Sequence, residues 1–111
     1  MMINMEKTEP TREEINTLTG ATMLEFGASW CGYCKAAQST ITSELAHFHN
    51  VLHIKIEDGK GRRLGRSFHV KLWPTLIFMK DGVELKRLVR VIDASELRLG
   101  LQEMTAPETP T

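Results

Sequence analysis

The apolar positions of this chain fall into two rhythms, one with a period of two and one with a period near 3.6. The places where one gives way to the other predict its elements. Residues 21–28, ATMLEFGA, form a nearly unbroken apolar run that reads as a buried strand. From Gly32 onward Tyr33, Ala37, Ile41, Leu45 and Phe48 recur every three or four residues, as one stripe along a helix. In VLHIKIE, residues 51–57, Leu52, Ile54 and Ile56 share one side of a strand and His53 and Lys55 the other. PTLIFMK, residues 74–80, is a further strand, Asp81-Gly82 is a two-residue hairpin turn, and VELKRLVRV, residues 83–91, is the return strand. Asp93 and Glu96 have the spacing of a helix start, after which Ala94, Leu97, Leu101 and Met104 line one face. Gly100 interrupts that helix at a cost of about 1 kcal/mol relative to alanine. Near the front, Thr11 and Glu14 have capping-box spacing for a short helix, with Gly20 as its stop. GKGRRLGRSFHV, residues 59–70, is glycine-broken and basic and reads as a short helix within a loop. The order is helix, strand, helix, strand, short helix, strand, strand, helix. A helix joins the first two strands, so they are parallel, and the last two are an antiparallel hairpin. The fold class is α/β, a central mixed β-sheet flanked by helices on both faces.

Composition narrows this to a single domain. The chain has 111 residues, 41% hydrophobic and 25% charged, which is apolar material for one core. Its ends are polar and proline-punctuated, so residues 1–10 and 105–111 are expected to be flexible tails around a domain at 11–104. The net charge is zero, which gives no reason to expect nucleic acid or an anionic membrane as partner. Lys60, Arg62, Arg63, Arg66 and Lys71 read as a solvated face. No apolar run approaches the ~18 residues of a spanning helix. MMINMEKTEP lacks the basic and apolar regions of a secretory signal. A cytoplasmic, reducing location is expected, with a periplasmic one as the alternative if a longer exported precursor exists.

The chemistry centres on SWCGYCKA, residues 29–36, which holds the only two cysteines. A structural zinc site needs four ligands. There is no second Cys-x-x-Cys, and His47 and His49 end a helix while His53 lies in the next strand, so nothing makes them converge. A disulfide staple closing so short a loop restricts the unfolded chain little. The pair reads best as a reactive dithiol. It follows a buried strand and opens a helix, so Cys31 faces free backbone N–H groups and the positive end of the helix dipole. Both favour a thiolate and lower the thiol pKa. Cys34, one turn in, is placed to resolve.

EFGASWCGYCK resembles the active-site stretch of the thioredoxin family, and WPTLIFMKDGVELKRLV resembles that family's second signature. The likeness in element order runs from about residue 12 to 104. It implies a thioredoxin fold, with Cys31 as nucleophile, Cys34 as resolving cysteine and Trp30 as the aromatic shielding them. It implies that Pro74 is a cis-proline facing the dithiol, whose neighbours Trp73 and Thr75 offer backbone to an extended substrate. Glu25 matches the position of the family's buried acid. That role would be a buried carboxyl with a raised pKa that exchanges a proton with Cys34. Gly32-Tyr33 departs from the usual Gly-Pro and is similar to the motif of periplasmic disulfide isomerases, and such changes tune the reduction potential. The lysine usual near the buried acid is replaced, with His53 its nearest counterpart. Arg90 stands where the family often has glycine near the substrate groove; one reading has it narrow that groove or recruit acidic partners, and the other, preferred here, is an ordinary exposed strand arginine. Trp30, Tyr33 and Trp73 all flank the two motifs and suggest an aromatic rim that grips a peptide.

The expected function is thiol–disulfide oxidoreduction, with Cys31 attacking a protein disulfide and Cys34 resolving the mixed disulfide. The resemblance implies protein disulfides as substrates and a thioredoxin-reductase-like electron donor. No metal or organic cofactor is expected, and the protein is expected to be a monomer. Two alternatives stand beside this: a disulfide isomerase or oxidase of an exported pathway, and a redox-sensing peptide-binding module.

Overall fold

A computed structural model describes residues 2–4 and 9–107. Its elements are β1 (Met2–Asn4), α1 (Arg12–Asn16), β2 (Ala21–Gly27), α2 (Gly32–Leu45), β3 (Val51–Glu57), α3 (Arg63–Ser67), β4 (Thr75–Lys80), β5 (Val83–Val89) and α4 (Ala94–Thr105). The strands form one sheet in the order β1-β3-β2-β4-β5. β2 and β3 are parallel, as their helical connection requires, while β2–β4 and β4–β5 are antiparallel.

The local signals act as their chemistry dictates. Thr11 caps α1 in a complete capping box with Glu14, and Asp93 caps α4 by accepting the Glu96 N–H at 3.0 Å. Asp81 and Gly82 both take positive φ, 49° and 79°, as the tight hairpin requires. The Asp81 carboxylate also accepts the Gly20 N–H at 2.7 Å, tying this turn to the start of β2.

Side chains alternate across β2 and β4 and so fill two cores. Met23, Leu76 and Phe78 pack with Ile41, Leu97 and Leu101 under α2 and α4. Leu24, Phe26, Ile77 and Met79 pack with Ile15, Leu64 and Phe68 under α1 and α3. Gly100, costly to helix propensity, earns its place at the first of these contacts. A Cβ there would stand 2.9 Å from Phe78 Cζ, so glycine lets α4 lie close against β4.

Three details differ from the sequence expectation. Met2–Asn4, within the expected tail at 1–10, pairs in parallel with β3 through Met2–His53, Ile3–Ile54 and Asn4–Lys55. Unpaired backbone on the outer edge of β3 accepts another strand irrespective of the polarity of its side chains. α1 stops at Asn16 rather than near Gly20, and α2 stops at Leu45, before Phe48. At the other end α4 continues to Thr105, and residues 108–111 of the expected tail lie outside the described residues.

Candidate active site

Cys31 is the N-cap of α2, and its sulfur accepts the Cys34 backbone N–H at 3.2 Å. An N-cap must bring an acceptor to the unsatisfied amides of the first helical turn, and here the acceptor is sulfur. Both thiols are free, and both are nearly covered by protein. Burial pushes the Cys31 thiol up. The Cys34 thiol, the N–H groups of Cys34 and Tyr33, and the positive charge of Arg90 pull it down further and leave it below its usual value. Cys34 moves the opposite way, to about 11, through burial, its hydrogen bond to Cys31 and the nearby negative charges. The two thiols are thus shifted in opposite directions, Cys31 toward the thiolate and Cys34 away from it.

The Trp73–Pro74 peptide bond is cis. The Trp73 carbonyl oxygen accepts from Cys31 Sγ at 3.9 Å. Thr75 is buried and donates its hydroxyl to the Leu72 carbonyl at 2.6 Å, pinning the loop behind Pro74. The Trp73 indole N–H donates to Asp58 at 2.9 Å, and its ring meets that of Trp30 edge-on with centroids 5.5 Å apart. Trp30 and Tyr33 are 72% and 52% exposed, so the aromatic rim faces solvent beside the dithiol. Tyr33, which helical spacing alone would also allow into the core, stays outside it. A Cβ at Gly32 would meet nothing within 4 Å, so its small size is not a packing requirement.

Glu25 lies behind Cys34 and is 1% exposed. Its expected burial is observed, but the expected raised pKa is not. Burial pushes this carboxyl up, and hydrogen bonds from His53 and Gln38, with the charges of His53 and Lys55, pull it further down, below the usual value. His53 Nε2 lies 2.7 Å from Glu25 Oε1, and the Gln38 amide donates to Oε2 at 2.7 Å. An ionised carboxylate only accepts, so His53 Nε2 carries a proton. Lys55 Nζ reaches Gln38 Oε1 at 3.2 Å, and the Gln38 amide also touches the Cys34 carbonyl at 3.2 Å. The sequence expectation failed because it treated the carboxyl as unpaired. A cavity of about 240 Å³ lined by Glu25, Gly27, Cys34, Gln38 and Lys55 joins this network to the resolving sulfur.

Three residues of the site were not singled out from sequence. Gln38 links Glu25 to Cys34, and Asp58 anchors Trp73. Gly27 leaves room for Cys34, since a Cβ there would stand 2.8 Å from its sulfur. Arg90 was singled out, but the structure corrects its reading as an ordinary exposed strand arginine. It lies just past β5 and is half-buried. Its N–H donates to the Pro74 carbonyl at 3.0 Å and its Nε–H to the Trp73 carbonyl at 2.7 Å, while its guanidinium sits 4.1 Å above the Tyr33 ring. Its departure from the glycine usual there was a signal, but sequence could not show which groups it meets.

Comparison with known proteins gives a consistent result. The family model described as Thioredoxin matches residues 3–103. Thioredoxin of Chlamydia trachomatis serovar D is 32% identical over 79 residues, covering 71% of this chain and 78% of that protein. Thioredoxin Asp f 28 of Aspergillus fumigatus is 27% identical over 90 residues, covering 81% and 83%. Among solved structures, thioredoxin 2 of Pseudomonas aeruginosa in its reduced form is 45% identical. It covers 95% of each chain and superposes with a TM-score of 0.80.

Proposed function

The chain belongs to the thioredoxin family and is a thiol–disulfide oxidoreductase, and from that premise we propose how its residues divide the work. The Cys31 thiolate attacks one sulfur of a protein disulfide. The S–S bond breaks, a substrate thiolate leaves, and a mixed disulfide joins Cys31 to the substrate. Cys34 then loses its proton and attacks Cys31 Sγ. The second substrate thiolate leaves, the substrate has gained two electrons, and the protein carries a Cys31–Cys34 disulfide. The observation that carries this reading is the Cys31 sulfur at the N-cap, held at 3.2 Å by the Cys34 N–H.

Glu25, ionised at neutral pH, is the acceptor for the Cys34 proton. No direct hydrogen bond joins the two groups among the described residues, so the cavity between them carries the proton through water, for which it has ample room. Trp30, Gly32, Tyr33, Trp73, Pro74 and Thr75 form the substrate groove, with the aromatic rings flanking the peptide and the loop at Pro74 supplying backbone. The family implies protein disulfides as substrates and a reductase as partner. The finer reading is a monomer in a reducing cytoplasm, re-reduced by a thioredoxin-reductase-like donor. The isomerase or oxidase role that Gly32-Tyr33 suggests is not favoured by these relatives, nor is a purely redox-sensing module.

Insulin reduction coupled to a reductase tests the scheme. Cys31→Ser is expected to abolish activity, and Cys34→Ser to trap mixed disulfides. Activity undiminished in Cys31→Ser refutes it.

A further inference from the structure

Arg90 changes the polarity of the groove beside the nucleophile. In a groove that offers its backbone to a peptide, the Trp73 carbonyl is an acceptor for a substrate N–H. Here that oxygen already receives the Arg90 Nε–H at 2.7 Å. A guanidinium has five N–H donors in a planar fork. The four on its two terminal nitrogens make no hydrogen bond among the described residues, and the guanidinium carbon sits over the Tyr33 ring, 4.1 Å from its centroid. Cys31 Sγ and Arg90 Nε lie 3.9 and 2.7 Å from the same oxygen, so they are within about 7 Å of each other at most. A position that would have asked the substrate for a donor now asks for an acceptor, and preferably an anion.

We propose that Arg90 is a specificity-determining residue that selects disulfides flanked by Asp or Glu, its outward N–H groups binding a carboxylate next to the cysteine that Cys31 attacks. A carboxylate matches the fork in both charge and spacing. Neighbouring charge does not oppose this. The Asp58 carboxylate is engaged by the Trp73 indole, and that of Asp93 by Ser95 and the Glu96 N–H. A second cleft that shares Trp73 is lined by Lys60, Arg66 and Lys71 together with Asp58, for a net positive lining. The proposal rests on the oxidoreductase reading above.

The test uses two disulfide-bonded peptides that differ only in carrying Glu or Gln beside the attacked cysteine. The rate constant for reduction by the reduced protein is measured for each, at low and high salt. Because the ratio of the two rates is the readout, any change in Cys31 reactivity cancels. Wild type is expected to prefer the Glu peptide by about fivefold at low salt, less at high salt. Arg90→Gln is expected to bring the ratio close to one, and Arg90→Lys to restore it in part. A wild-type ratio near one overturns the proposal, as does a preference that survives Arg90→Gln. If the preference is instead lost in Lys60→Gln/Lys71→Gln with Arg90 intact, the source is the second cleft and the proposal also falls. The salt dependence of wild type stands even if a variant fails to fold. Failure to reduce either peptide refutes the oxidoreductase reading itself, and equal reduction of both refutes only the role of Arg90.

Discussion

Replacing Gly27 by alanine tests how tightly the resolving sulfur is held. Gly27 ends β2, where an L-residue is otherwise welcome, but its Cβ would stand 2.8 Å from Cys34 Sγ and 3.6 Å from Cys34 Cβ. Non-bonded heavy atoms settle near 3.5–4.0 Å, so the sulfur must move by about 1 Å. Cys34 is in the first turn of α2 and buried, so that movement strains its rotamer or shifts the helix. Overpacking of this kind costs about 1–3 kcal/mol. The alanine returns about 0.4–1 kcal/mol by restricting the unfolded chain. A net loss of about 1–2 kcal/mol lowers Tm by roughly 5–10 °C in a chain of this size. The kinetic effect is larger, because a 1 Å misplacement of a reacting atom can slow its step about 100-fold. Mixing reduced protein with a disulfide peptide and quenching at intervals is therefore expected to show the mixed disulfide accumulating in Gly27→Ala but not in wild type. The decisive control is Cys34→Ala, which removes the sulfur that the new Cβ meets. In that background Gly27→Ala is expected to be neutral or slightly stabilising. The same loss of stability in both backgrounds refutes the reasoning, because the two sites would then be energetically independent.

Further expectations follow from the same geometry. In the reduced protein iodoacetamide is expected to modify Cys31 first near neutral pH, and Cys34 only as pH approaches about 11. Equal rates across that range, read by mass spectrometry, contradict the opposed shifts. His53→Leu strips the buried Glu25 carboxylate of a hydrogen-bond partner and is expected to cost about 1–3 kcal/mol at neutral pH in urea unfolding, with partial recovery in Glu25→Gln/His53→Leu. Because the folded protein holds the Glu25 pKa below its usual 4.5, the carboxylate stabilises the fold above that pH. This contribution is lost as pH falls through the lowered value, so the gap between wild type and Glu25→Gln is expected to narrow on acidification. A gap that widens refutes the sign. Trp73→Phe removes the indole N–H from Asp58 and is expected to cost about 1 kcal/mol, measured by the same unfolding assay.

Much of the site was legible because its chemistry is local. Cys31 as an N-cap follows from a cysteine placed between a strand and a helix. The hairpin follows from Asp81-Gly82, and the parallel pairing of β2 with β3 from the helix between them. The two misreadings have one origin. Glu25 was expected to be protonated because a lone buried carboxyl would be, yet His53, 28 residues on, and Gln38 converge on it. Arg90 was expected to be bland because an exposed strand arginine usually is, yet it closes over Tyr33, which belongs to another element. In both cases the partners are far away in sequence, and a pKa or a role depends on the sum of its neighbours.

The sequence by itself determined the elements from α1 to α4, their order, the two-faced sheet and the dithiol at the mouth of a helix, since each depends on periodicity or on residues a few positions apart, whereas the edge strand β1 came only with the structure. Tertiary structure alone decided which partners meet the buried acid and so the downward direction of its pKa, and that a guanidinium occupies the carbonyl next to the nucleophile. Those outcomes are differences between large opposing terms, burial against hydrogen bonding and charge. Their sign is set only when segments distant along the chain meet within a few ångströms.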